Sequence, residues 1–123
     1  MSKAPVDFSI LIGPQTPVRT FKAGEVIFNE GDAATELFII QSGRVVIRLG
    51  NRLLDTLEKN EIYGEMALVD SAPRSATAVA DTDVTLVPVS EKQFLFLVSQ
   101  TPFFALNVMR VLARRLRASN GTL

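Results

Sequence analysis

From Val18 onward the chain is cut into short apolar pieces by turns that carry glycine, and this rhythm limits the fold more than any other feature. Residues 18–21, 25–28, 37–41, 45–49 and 52–57 are rich in Val, Ile, Leu and Phe. Gly24, Gly31 within the 29–32 segment, Gly43 and the Gly50-Asn51 pair lie between them. Residues 77–80 and 84–89 continue the pattern across an Asp81-Thr82-Asp83 turn. Short strands at regular spacing, with turn signals between them, predict an antiparallel sandwich or barrel.

After Val89 the period changes. Ser90-Glu91-Lys92-Gln93 fits a capping box, in which the serine caps the helix and Gln93 reaches back to the N–H of the cap. A helix is expected over 90–99. Thr101-Pro102 repeats the start signal, a cap followed by proline at the first helical position. The second helix, over 102–119, carries Phe104, Val108, Val111, Leu112 and Leu116 on one line and Ala105, Met109 and Ala113 on another. Asn120 and Gly121 are the expected terminators. The order is therefore a mainly β unit, an antiparallel β-roll over 18–89, followed by two α-helices. Residues 1–17, with Pro5, Pro14 and Pro17, read as an irregular arm whose Phe8, Ile10, Leu11 and Ile12 are expected to dock on the roll.

Composition removes whole classes of chemistry. The 123 residues contain no His and no Cys. Disulfides, thiolate nucleophiles, imidazole acid–base catalysis and the commonest zinc sites go with them. Lys+Arg and Asp+Glu both number 13, so the basic excess usual in nucleic-acid binders is missing. The longest apolar run, 94–98, falls short of the roughly 20 residues a membrane span needs. Nothing near Met1 resembles a signal peptide. A soluble, cytoplasmic protein without a metal or cofactor is expected.

One stretch, residues 63–80, breaks the strand rhythm. Gly64 allows a tight turn or a close approach to a ligand. Residues 65–69 can form one helical turn, whose free N–H groups attract an anion. Pro73 ends the excursion, and Arg74 brings a planar fork of donors that matches two phosphate oxygens at once. The Ser75 hydroxyl can join that fork. Glu65 offers an acceptor for a ribose hydroxyl.

Gly64-Glu65-Met66-Ala67-Leu68, followed by Pro73-Arg74-Ser75-Ala76-Thr77, resembles the phosphate-binding cassette of the cyclic-nucleotide-binding domains. These occur in bacterial cAMP receptor/FNR-type regulators, regulatory subunits of cAMP-dependent kinase and cyclic-nucleotide-gated channels. Glu30-Gly31-Asp32, residues 37–40 and Gly43 fit the same family, and the resemblance runs from about Val18 to Asn120. It implies a jelly-roll β-roll whose cassette is inserted between strands. It also implies that Arg74 grips the cyclic phosphate and Glu65 the ribose 2′-hydroxyl. Backbone N–H groups near Glu65, Met66, Ala67 and Ala76, with the Ser75 hydroxyl, would complete the cradle, and Gly64 belongs to the same ligand-binding set. The last helix would act as a lid, with Arg115 approaching the nucleotide and Ser119 and Asn120 meeting the base.

Each of these residues also has a plainer reading. Arg74 and Glu65 can pair with each other across the loop, as exposed ion pairs worth about 0–1 kcal/mol commonly do. Arg110, Arg114, Arg115 and Arg117 can serve the helix C-terminal dipole at about 0.3–1 kcal/mol each. Tyr63, Met66 and Leu68 can be core supports. The ligand implied is cAMP, since Ser75 is the residue of the bacterial cAMP receptors, with cGMP as the alternative because a serine hydroxyl can reach a guanine amino group. The expected function is a cyclic-nucleotide sensor that is not an enzyme, binds no DNA directly and acts on a downstream protein through its last helix. A homodimer through that helix is also expected, and a helix-turn-helix output domain is not, given the end at Leu123. The rival from another class is an interaction scaffold that keeps the roll without binding nucleotide.

Overall fold

The computed structural model describes residues 16–65, 68 and 72–120, with side chains of the final helix described up to Arg115. The apolar residues expected to dock from the N-terminal arm lie outside these, as does the terminator Gly121.

Among the described residues, eight strands and two long helices follow in order: β1 (Arg19–Phe21), β2 (Val26–Phe28), β3 (Glu36–Ser42), β4 (Val45–Leu49), β5 (Arg52–Leu57), β6 (Ile62–Tyr63), β7 (Thr77–Ala80), β8 (Val84–Ser90), α1 (Glu91–Gln100) and α2 (Pro102–Asn120). The strands form two four-stranded antiparallel sheets, ordered β1-β8-β3-β6 and β2-β7-β4-β5. This is the antiparallel roll followed by two helices that the sequence rhythm predicts. The addition is β6, a two-residue strand that pairs Tyr63 with Phe38 and Ile62 with Ile39. It is too short to leave a period in the sequence.

β3 carries the architecture. Leu37, Phe38, Ile39 and Ile40 are all buried, because the strand has cover on both faces. Phe38 and Ile40 point into the roll, among Phe28, Val45, Ile47, Leu57, Ala78 and Leu86. Leu37 and Ile39 point the other way, against Phe104, Val108 and Val111 of α2. β8 repeats the division, with Val84 and Leu86 inward and Val87 and Val89 under the helices. A strand alternates its side chains between faces, so two adjacent cores are built from one backbone.

The capping box at Ser90 forms as read. Its hydroxyl accepts from the Gln93 N–H at 3.3 Å, and the Gln93 side chain accepts the Ser90 N–H at 2.9 Å. α1 ends at Thr101, and Pro102 opens α2 at a bend of 120°. Phe94 and Phe104 lock the corner edge to face, with ring centroids 5.3 Å apart. No single helix among the described residues is long and apolar enough to cross a membrane.

Candidate functional site

The site forms where β6, the segment after it and the approach to β7 meet the turn after β2. Gly64 takes φ +91°, a left-handed conformation that an L side chain resists, and a Cβ there would overlap Nη1 of Arg74. Glycine is therefore required twice over, by the backbone and by the arginine. The Leu68 N–H donates to the Glu65 carbonyl at 3.1 Å, which fits the short helical turn expected there. Met66 and Ala67 lie outside the described residues.

Arg74 is held at its backbone from the opposite side. The turn after β2 clamps it: the Gly31 N–H donates to the Arg74 carbonyl at 2.7 Å, and the Arg74 N–H donates to the Asp32 carbonyl at 2.9 Å. The Glu30-Gly31-Asp32 stretch thus fixes where the cassette arginine begins. Its side chain runs inward and is only 8% exposed. Nη2 donates to the Glu36 carbonyl at 2.8 Å. Nε and Nη1 are buried without a hydrogen-bond acceptor among the described residues. Burial pushes this guanidinium below the usual arginine range, although an arginine remains protonated. Below it lie the faces of Phe28, 4.2 Å from ring centroid to guanidinium carbon, and Phe38, at 5.4 Å.

Glu65 is 2% exposed, and its partner is Arg115 of α2. The pairing of Arg74 with Glu65 across the loop, one plain reading of the sequence, does not form. Nη1 of Arg115 donates to Glu65 Oε1, and Nη2 donates to the carbonyl of Ile62. The guanidinium also lies 4.9 Å from the centroid of the Tyr63 ring. Burial lowers the pKa of Arg115, opposed by the charges of Asp55, Tyr63 and Glu61. This pairing joins the last helix to the cassette, and nothing in the sequence spacing announced it. Ser119 and Asn120 fall within α2, and their side chains lie outside those described.

Ser75 is exposed at the mouth, and its hydroxyl engages the Tyr63 hydroxyl, while Ala76 is buried in the roll. Tyr63, Gly64, Glu65, Pro73, Arg74 and Ser75 line an open cleft of about 290 Å³. The cleft is open to solvent on one side, with the Arg74 guanidinium and the Ser75 hydroxyl on its lining. Two buried N–H donors on a cation, a hydroxyl and a neighbouring carboxylate can together engage one anionic phosphate and a hydroxyl beside it. Of the residues expected at the site, Gly64, Glu65, Arg74 and Ser75 come together along this cleft. Phe28 and Phe38, which lie against Arg74, were not expected there, because isolated aromatics in strands look like ordinary core.

A two-sheet roll with a cradle of this kind between its strands belongs to a known class. Residues 18–101 match the cyclic nucleotide-binding domain family, and this chain is a member of it. It is 37% identical over 107 residues to the cyclic AMP receptor protein of Thermus thermophilus, covering 83% of this chain and 50% of that one. Among solved structures, the catabolite activator protein of Thermus thermophilus superposes with TM-score 0.77 at 36% identity, covering 85% of this chain and 52% of the other. The EAL enzyme Bd1971, in its halfsite-occupied form, superposes at 0.68 with 39% identity, covering 85% of this chain and 98% of that one. The chain spans about half the length of the first curated relatives it matches.

Proposed function

We propose that this chain is a cyclic-nucleotide sensor with cAMP as its preferred ligand and no catalytic step of its own. The observation that carries the reading is Arg74: a buried cation facing the cleft with Nε and Nη1 lacking acceptors among the described residues. A buried donor without a partner costs about 1–3 kcal/mol, and more when charged, so folds keep such groups where a ligand completes them.

In the bound state Arg74 forks two phosphate oxygens, and Ser75 and the backbone N–H groups of Gly64, Glu65, Met66, Ala67 and Ala76 close the cradle. Glu65 accepts the ribose 2′-hydroxyl. Arg115, Ser119 and Asn120 of α2 form the lid over the nucleotide. Residues 18–123 act as the binding unit and 1–17 as an arm. Ligand binding biases the position of α2 because its contacts differ between the free and bound arrangements. The helix passes that bias to a downstream protein or to a second copy of the chain, without direct contact to DNA. A cytoplasmic setting suits the cysteine-free composition.

cGMP is the second reading, and a specific observation keeps it: the similar Bd1971 enzyme has structures in both a cGMP-bound and a cAMP-bound form. Calorimetric titration of both nucleotides into the chain, repeated on Arg74→Leu, tests the reading. Truncating one partner of a desolvated charged contact costs about 2–5 kcal/mol, so affinity falls by about 30-fold or more. Tight binding that survives Arg74→Leu would remove the cassette assignment. An absence of binding to the unaltered chain would favour the scaffold alternative.

A further inference from the structure

We propose that Phe28 and Phe38 form an aromatic shelf that holds the Arg74 guanidinium buried and aimed, which makes them positioning residues for the anion that Arg74 grips. The inference rests on the cyclic-nucleotide reading above.

A buried cation normally has a carboxylate beside it, because desolvating an isolated charge is expensive. No carboxylate bonds to Arg74, and the charges of Glu36 and Asp32 act on it only from a distance. The Glu36 carboxylate pairs with Arg19 at 2.6 Å, Glu65 pairs with Arg115, and Asp32 accepts the Asn29 N–H at 2.9 Å. What lies against Arg74 is the face of Phe28 at 4.2 Å, the face of Phe38 at 5.4 Å and one backbone carbonyl. Both rings are buried and nearly parallel, 6.2 Å apart with planes at 18°, and Tyr63 stacks on Phe28 from beyond at 6.1 Å.

The choice of partner decides what the arginine can still do. A carboxylate engages the edge of a guanidinium, cancelling its charge and occupying its fork. A π-face attracts the cation without accepting its in-plane hydrogen bonds. Charge and edge donors both survive, as the acceptor-less Nε and Nη1 require. Geometry supports the same division. β2 carries the Phe28 ring under the guanidinium, and the turn that follows β2 holds the Arg74 backbone through Gly31 and Asp32. One stretch of chain therefore fixes both ends of the residue.

The test replaces Phe28 with mono-, di- and trifluorophenylalanine, which drain the ring face while nearly keeping its shape. Calorimetry then follows cAMP affinity, and thermal unfolding checks that the fold is kept. Affinity should fall stepwise, by about 5-fold or more across the series, the size of a desolvated cation–π contact. A flat series in a chain that binds would overturn the shelf. A second readout needs no nucleotide: the Arg74 Nε–H proton resonance should be shifted upfield by the ring current of Phe28, and Phe28→Met should abolish that shift. An unshifted resonance in the unaltered chain would also overturn the shelf. If the unaltered chain binds neither cAMP nor cGMP, the functional reading fails on its own, and the resonance still decides whether the shelf exists.

Discussion

Arg115, near the end of the last helix, donates to the buried carboxylate of Glu65, fifty positions earlier in the chain. The two partners are not equally placed: the Glu65 side chain is 2% exposed and that of Arg115 is 25% exposed. Removing the arginine strands a buried anion, whereas removing the acid leaves a cation that can swing toward water. Arg115→Leu should therefore destabilise the fold by about 2–4 kcal/mol, and Glu65→Gln by about half of that. Adding Glu65→Gln to Arg115→Leu should recover much of the loss. Urea unfolding of the three variants checks it, and equal costs for the two single changes would contradict the asymmetry.

Gly64→Ala should harm binding more than folding. The left-handed backbone alone costs about 1–2 kcal/mol for an alanine. The new methyl would also push Nη1 of Arg74 out of its place above the cleft. Nucleotide affinity should fall by more than about 10-fold, measured by calorimetry beside the unfolding midpoint.

Tyr63 is the only tyrosine in a chain without tryptophan, so phenolate absorbance reports it alone. Burial raises its pKa above the usual 10.0, and the positive charge of Arg115 pulls the other way. The titration midpoint should lie above that of free tyrosine, and Arg115→Leu should raise it further. The sign for stability follows. A group with a raised folded pKa contributes fully below its unfolded value, and the contribution is lost as pH climbs through the folded one. Unfolding stability should therefore decline on the alkaline side of about pH 10, and less so in Tyr63→Phe.

α2 presents Phe103, at 73% exposure, together with Leu106 and Met109 on its outer side. The homodimer expected through this helix would cover these side chains. Phe103→Glu with Met109→Glu should yield a monomer by sedimentation equilibrium, with helix content by circular dichroism unchanged. A monomeric unaltered chain would exclude the dimer.

Local signals were legible where one residue dictates its surroundings. The capping box at Ser90, the proline opening α2 and the glycine turns each act within a few positions, and each appears at the expected place. Gly64, Glu65, Arg74 and Ser75 were legible because a short motif carries them. The rest depends on pairing across long sequence distances. β6 exists through its ladder with β3, not through its own propensity. Glu65 gave no sign of preferring Arg115 to Arg74, since the choice follows from how α2 lies across the roll. Phe28 and Phe38 read as core, and they are core on one side; only the placement of Arg74 against their faces gives them a second role.

The two-sided burial of β3 separates two experiments that are usually entangled. Even-numbered positions, Phe38 and Ile40, answer to the roll interior, and odd-numbered ones, Leu37 and Ile39, answer to the helix pair. Shortening a side chain in one set loosens the wall behind the cleft, and shortening one in the other loosens the seat of α2. A pair of variants one residue apart can thus tell whether the proposed coupling of pocket and α2 fails at the pocket wall or at the helix seat.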